Sequence, residues 1–362
     1  MAKFEGVKWA PRQMRYLLPE KQVAILEADA KVFAVSRSIF YSSFLCFEGI
    51  RFFCKKNAKG ELEVLFLNWH KNLERLLRGI TFNLSKSQAA LIPSVEEVEN
   101  LLIHQYFQDP ATRDFLEEMA KDGVKGYLRP FTVDEEQSMG VTFPTQPSIR
   151  AIFCRYDNYL GEPFIGVVIP GLVRAAAANK TGCLKLGINY LISLKAIDAA
   201  KDVDPQAAAA LFLDDRTHVE LKDRNITEWD SSCCLFGFRD GTVVKIPESE
   251  LILPSITIQG MVTILREMDV KVEERHVTYG ELVQRVRSQE LVVAASIGTA
   301  GFMNRCQKLL CVDKNNAVTA THLPDTGHPL YAKLAEAKAY YWNIYKEKAK
   351  LPAGMNLFKY SL

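Results

Sequence analysis

The chain has 362 residues, 48% of them hydrophobic and 24% charged, a length and composition that favour two globular domains with sizeable cores over a disordered or fibrous chain. Forty-five basic residues against 43 acidic ones leave a net charge of +2, which excludes the electrostatic footprint of a nucleic-acid or anionic-membrane binder and points to small-molecule partners. Met1 to Arg15 carries basic side chains without the apolar core of a secretory signal. The longest apolar stretch, Pro163 to Ala178, is broken by Pro170, Gly171 and Arg174, so a soluble, cytoplasmic protein is expected.

In chain order, Val32 to Val35, Phe52 to Cys54 and Leu62 to Leu67 are short β-rich runs, and Asn57 to Gly60 reads as a hairpin turn between the last two. From Trp69 to Ile80 the spacing becomes helical, with Leu73, Leu76 and Leu77 on one face. Ser94 caps a second helix carrying Val95, Val98, Leu101 and Leu102. Tyr127 to Phe131 and Ile149 to Phe153 return to strand character. An N-terminal α+β domain over residues 1–154 follows, then a polar, glycine-containing linker over 155–163.

The second domain, 164–362, is again mixed. Tyr190 to Lys201 is helical, Ala208 to Leu213 and Val219 to Leu221 have strand character, and Leu235 to Gly237 and Val243 to Lys245 flank an Arg-Asp-Gly hairpin turn. Pro254 to Asp269 is a helix with Ile258, Val262, Leu265 and Met268 inward. Leu291 to Ala295 is a buried strand, and Pro329 to Glu347 is a closing helix. The eight cysteines are scattered, without a Cys-x-x-Cys pair, so buried free thiols are expected and no metal site.

Several local features carry possible chemistry, each with a plainer structural reading beside it. Lys185, next to the Gly187 turn, can present an amine to the same pocket as the Tyr190 phenol, although most lysines are solvated charges. Leu253-Pro254-Ser255-Ile256-Thr257 opens a helix with hydroxyls and backbone amides, a phosphate cradle or a plain N-cap. Gly298-Thr299-Ala300 ends an apolar strand with more amides, an anion site or an ordinary strand exit. Tyr127 and Arg129 share a strand face, which suits carboxylate recognition or a surface stack; Glu220 is a pocket acid or an edge charge, and His70 reads best as structural.

Together, from Asp29 to Lys346, these pieces resemble the class IV (fold type IV) pyridoxal-phosphate aminotransferases, and within them the branched-chain amino acid aminotransferases. The matching blocks, in order, are Asp29-Ala30-Lys31-Val32, Phe47-Glu48-Gly49-Ile50-Arg51, His70 with Arg75-Leu76, Tyr127-Leu128-Arg129-Pro130, and Tyr159-Leu160-Gly161. They continue with Lys185-x-Gly187-x-Asn189-Tyr190, Glu220 with Asn225, Leu253-Pro254 with Ile256-Thr257, and Gly298-Thr299-Ala300. The resemblance implies a small α/β sandwich domain and a larger pseudo-barrel domain that binds pyridoxal 5'-phosphate. It also implies a homodimer that moves the amino group of leucine, isoleucine or valine to 2-oxoglutarate.

Lys185 would then bond the cofactor and act as the catalytic base, in its neutral form, at the substrate α-carbon. Tyr190 would hydrogen-bond the cofactor's phenolate oxygen, Glu220 would pair with the ring nitrogen, Leu253 would pack under the ring, and Arg75, Ile256, Thr257 and Thr299 would hold the phosphate. Phe47, Tyr127, Arg129, Tyr159, Thr299 and Ala300 would line the substrate pocket. The chain departs from the pattern at Ser255 and Ile258, where the family has glycine and arginine. It also departs at Leu221 to Arg224, at Phe302 to Arg305, and by one extra residue between Tyr41 and Phe47. The alternatives are another class IV enzyme, such as a D-amino acid or pathway-specific aminotransferase or an aminodeoxychorismate-type lyase, and a non-catalytic binding protein of the same fold.

Overall fold

The structure is a computed structural model that describes residues 4–6, 8–30, 45–135, 142–159 and 163–362. The chain divides into two compact units. The first comprises Met1–Tyr159, Leu184–Ile188 and Asn356–Leu362, and the second Leu160–Cys183 and Asn189–Met355. A strand belongs to the sheet whose edge it pairs with rather than to its sequence neighbours. The C-terminal strand Leu357–Ser361 therefore joins the first unit by pairing antiparallel with Leu62–Leu67.

The first unit is built on an antiparallel sheet. From the C-terminal strand its order runs through Leu62–Leu67, Ile50–Lys56, Lys125–Asp134, Pro147–Tyr156 and Arg12–Leu17 to Gln22–Glu27, with Lys8–Trp9 beside Pro147–Tyr156. The hairpin expected at Asn57 to Gly60 is present. Asn57 Oδ1 accepts from the amides of Lys59 and Glu61, and Gly60 supplies the left-handed conformation at φ 80°. Along the helix Trp69–Asn83, Leu73, Leu76 and Ile80 recur on one buried face. The rings of Phe52, Phe66, Phe107 and Phe153 pack against one another, with Phe52 5.4 Å from Phe153 and 5.7 Å from Phe66 and from Phe107. Each fully buried ring contributes about 1.5–3 kcal/mol by leaving water. The run Val32 to Val35 lies outside the described residues.

The second unit closes its sheet on itself. The order Ile226–Trp229, Ala209–Leu213, Phe164–Ile169, Phe302–Val312, Leu291–Gly298 and Ser232–Phe238 returns to Ile226–Trp229 through the register Glu228↔Cys233, giving a six-stranded barrel-like ring. Phe164–Ile169 and Ala209–Leu213 are parallel, so a crossover is required between them, and the helix Gly187–Val203 supplies it. Its Ala196 and Ala200 pack on Val167 and Phe212. Val219 to Leu221, expected as a strand, is instead a turn leading into a short 3-10 segment, Leu221–Asp223. Glu220 and Lys222 pair with each other in solvent there, so the segment has neither a ladder partner nor an apolar face to bury.

Candidate functional site

In the first unit, Phe47 lies on a bridge to Phe131, and its amide donates to the Lys185 carbonyl at 3.0 Å. The neighbouring bridge Cys46↔Leu186 and the bond from the Gly187 amide to the Leu45 carbonyl, 2.8 Å, fix the lysine's backbone against this segment. Lys185 Nζ stands 5.0 Å from the centre of the Phe47 ring, and the Arg129 guanidinium is 5.1 Å from the same centre. Arg129 also lies 5.3 Å from the Tyr127 ring and donates to the Tyr127 hydroxyl at 3.3 Å. The alternation of the strand Lys125–Asp134 puts Tyr127 and Arg129 on one side, as the sequence predicts. Gly49 makes room for the phenol: a Cβ there would meet the Tyr127 hydroxyl oxygen at 2.0 Å. An amine, a guanidinium and a phenol thus share one aromatic wall.

Arg75, expected at a phosphate, is 3% exposed and committed to Glu48, with Nε 2.6 Å from Oε1 and Nη2 2.8 Å from Oε2. Asn72 donates to the same carboxylate at 2.9 Å. This charge pair lies inside the first unit, where Arg75 neutralises a fully buried carboxylate. His70 partners Glu99 and packs on Phe358, the structural role the sequence favours for it.

In the second unit, the helix Ile256–Glu267 starts from Ser255, whose hydroxyl accepts from the Ile258 amide at 3.3 Å. The N-cap is therefore real, yet it leaves the amides of Ile256 and Thr257 without intrahelical partners beside the Thr257 hydroxyl, the arrangement that receives an anion. Thr299 and Ala300 lie in the half-buried turn between Leu291–Gly298 and Phe302–Val312. Phe302 leaves that turn at φ 59° and stacks on Tyr341 with ring centres 3.8 Å apart. Tyr190 sits half-buried in the first turn of Gly187–Val203, next to Asn189, whose side chain donates to the Thr181 carbonyl at 2.9 Å. Tyr159 pairs with Phe4 through its backbone; its side chain, Leu160 and Gly161 lie outside the described residues.

The carboxylates in this unit are arranged differently from expectation. Glu220 is an N-cap residue at the surface, its side chain 71% exposed and 2.7 Å from Lys222, which is not the environment of a buried ring partner. That ion pair holds its carboxyl below the usual range. Glu228 is a buried acid, as Asp214 and Asp230 are; it lies on the closing strand Ile226–Trp229, its side chain 3% exposed and 2.6 Å from Arg174 Nη1. The Leu253 amide donates to Glu228 Oε1 at 3.4 Å, so the acid sits directly against the segment that opens the phosphate-type helix. Arg174 is completed by the carbonyls of Gly182 and Leu251 at 3.2 and 3.3 Å. The sequence held a signal for both residues. Glu228 interrupts the β-rich Ile-Thr-Glu-Trp run and Arg174 interrupts the longest apolar stretch, and buried charges require partners.

Among the described residues no group of three His, Cys, Asp or Glu could hold a metal ion, and no helix is long and apolar enough to cross a membrane. Seven cysteines are buried, Cys183 being the one of intermediate exposure. Burial pushes the Cys46, Cys306 and Cys311 thiols up to about 12.

No family model matches the chain. Among curated proteins it is similar to the branched-chain-amino-acid aminotransferase of Haemophilus influenzae, 30% identical over 206 residues that cover 54% of this chain and 57% of that one. It is also similar to the cytosolic branched-chain-amino-acid aminotransferase of Saccharomyces cerevisiae, 26% identical over 52% of this chain and 50% of that one. The match thus spans about half the length of these relatives. A branched-chain-amino-acid aminotransferase 2 of Bacillus subtilis matches at 24% over 79% of this chain and 73% of its own. Among solved structures, the branched-chain aminotransferase of Thermoproteus uzoniensis with norvaline superposes with a TM-score of 0.66 at 18% identity, covering 93% of this chain and 96% of that one. The Escherichia coli branched-chain amino acid aminotransferase gives 0.65 at 19%, covering 94% and 97%.

The fold is therefore fold type IV, the architecture of the class IV pyridoxal-phosphate-dependent aminotransferases. In sequence and in fold the chain resembles the branched-chain aminotransferases, which both comparisons return.

Proposed function

We propose that this protein is a pyridoxal-phosphate-dependent aminotransferase that transfers the amino group of leucine, isoleucine or valine to 2-oxoglutarate. The observation that carries the reading is the aromatic wall of the first unit, where Lys185 and Arg129 flank the Phe47 ring with Tyr127 bonded to Arg129. An amine for proton transfer and a guanidinium for a carboxylate are the two groups that an amino-acid transaminase needs to keep together.

The residues present fit the cofactor. Lys185 offers the amine that bonds it. The Ile256 and Thr257 amides and the Thr257 hydroxyl suit its phosphate, a role proposed for Thr299 as well, and Leu253 supplies an apolar seat. Glu228, rather than Glu220, is the buried acid suited to its ring nitrogen, held in orientation by Arg174. Arg75, spent on Glu48, is not assigned to the phosphate. When bound, the cofactor supplies an electron sink for the carbanion at the substrate α-carbon. Lys185 Nζ would hold and move the proton of the substrate α-carbon, and Tyr190 would offer its phenolic hydrogen to the bound cofactor. Arg129, backed by Tyr127, binds a substrate carboxylate, and Phe47 gives aliphatic side chains an apolar face.

A homodimer and a cytoplasmic location belong to the same reading, supported by the family likeness. The purified chain, supplied with pyridoxal phosphate and 2-oxoglutarate, should convert leucine, isoleucine and valine to their 2-oxo acids. Lys185→Ala should be inactive, and borohydride should fix the cofactor to Lys185, read by mass spectrometry. Conversion of other amino donors alone would select a different class IV activity. The commitment of Arg75 to Glu48 favours one further reading, a binding protein that has left catalysis, and absence of any fixed adduct would establish it.

A further inference from the structure

Gly298 pairs across the ladder with Phe302, so the turn that carries Thr299 and Ala300 lies between them as a tight hairpin loop. Hairpin loops of that length place one residue in the left-handed region, where glycine is the usual occupant because it has no Cβ. Here Phe302 takes the left-handed conformation, at φ 59°. The other non-glycine residues in that region, among those described, are lysines, asparagines, an aspartate, a glutamine and a glutamate. Asparagine and aspartate tolerate it through local hydrogen bonds, whereas a bulky apolar side chain persists there only where its surroundings hold it.

Those surroundings are aromatic. The Phe302 ring is wholly buried and lies on Tyr341, with centres 3.8 Å apart and planes 22° from parallel. Trp342 meets the same ring at 5.4 Å and 61°, and Tyr345, 5.5 Å from Tyr341, backs the stack. All three partners stand at the C-terminal end of the helix Pro329–Tyr345, which Leu330, Leu334 and Ala337 bury against the unit. The ring is therefore fixed to a helix, and the backbone of Phe302 has to follow it. Phe302 also heads the stretch to Arg305 in which the chain departs from the class IV pattern.

We propose that Phe302 is a positioning residue for the cofactor site, its stack on Tyr341 setting the turn conformation in which Thr299 meets the cofactor's phosphate. This inference rests on the phosphate role proposed above for Thr299. Released from the stack, Phe302 would return to the extended region, a change of more than about 100° in φ, and would swing the turn relative to the strand Phe302–Val312. A donor so displaced no longer meets the distance and angle that a charge-assisted hydrogen bond requires.

Pyridoxamine 5'-phosphate and pyridoxamine differ in the phosphate alone, and equilibrium dialysis against the full-length protein freed of cofactor gives the ratio of their affinities. The wild type should prefer the phosphorylated form by about a hundredfold or more. Phe302→Leu, which keeps apolar bulk without the flat ring, should cut that preference about tenfold, the worth of one charge-assisted hydrogen bond. Tyr341→Leu should do the same from the other side of the stack, while Tyr341→Phe, which keeps the ring, should retain the wild-type preference. Leu282→Ala, fully buried in the helix Tyr279–Arg287, is the control for lost stability alone: its urea midpoint should fall and its phosphate preference should stay. The proposal is overturned if both leucine variants keep the wild-type preference, if Tyr341→Phe loses it, or if Leu282→Ala loses as much of it as they do. Should Phe302→Leu fail to fold, the two Tyr341 variants decide the matter. A wild type without any preference would sink the phosphate assignment and the positioning role together, whereas a wild-type preference that survives both leucine variants sinks the positioning role alone.

Discussion

Substituting Glu228 by glutamine preserves its volume and removes its charge. Arg174, only 5% exposed on its side chain, would then be a buried cation facing only neutral oxygens, those of Gly182, Leu251 and the new amide. Breaking a buried pair from one side costs about 3–5 kcal/mol, and because two carbonyl bonds remain, the lower end, about 3 kcal/mol, is expected. Urea unfolding followed by tryptophan fluorescence should show the loss, since Trp229 adjoins the substituted residue. If Glu228 also serves the ring nitrogen, transamination of leucine should fall about a hundredfold or more, the scale seen when a preorganised electrostatic group is removed. Glu220→Gln is the control. Its exposed carboxylate meets only Lys222, so stability and activity should both stay at the wild-type level. Full activity in Glu228→Gln together with lost activity in Glu220→Gln would refute the assignment.

Gly49→Ala should raise KM for amino donors more than it lowers stability. Its Cβ would meet the Tyr127 hydroxyl at 2.0 Å and displace the phenol from Arg129, with an overpacking cost of about 1–3 kcal/mol. His322, with a folded pKa of about 4 against an ordinary 6.5, is neutral in the fold. The unfolded chain binds the extra proton between those values, so its contribution is fully present above pH 6.5 and is lost as pH falls towards 4. His322→Gln should therefore flatten the decline of stability across that window, measured by urea midpoints at successive pH values. With the other seven thiols buried, iodoacetamide should label Cys183 first in the native protein, as peptide mapping would show.

Much of the framework was legible from local pattern. The Asn57 to Gly60 hairpin, the Ser94 capping box and the apolar faces of Trp69–Asn83 and Ile256–Glu267 depend on residues close in sequence. So does the pairing of Tyr127 with Arg129, two apart on one strand. The carboxylates were not legible in the same way. Glu220 and Glu228 both follow strand-like runs, and nothing nearby in sequence says that the first ends in solvent while the second closes a ring of strands. Arg75 was equally ambiguous, because its partner Glu48 lies 27 residues away.

The sequence by itself determined many of the helices and strands, though not the turn at Val219 to Leu221, together with the lysine with its glycine turn and the likeness to the class IV enzymes, since periodicity, capping and motif spacing are properties of neighbouring residues. Only the tertiary structure decided which charges are buried and with whom. Burial of a charge is tolerated where a distant partner arrives to meet it, as Arg174 meets Glu228 across 54 residues of chain.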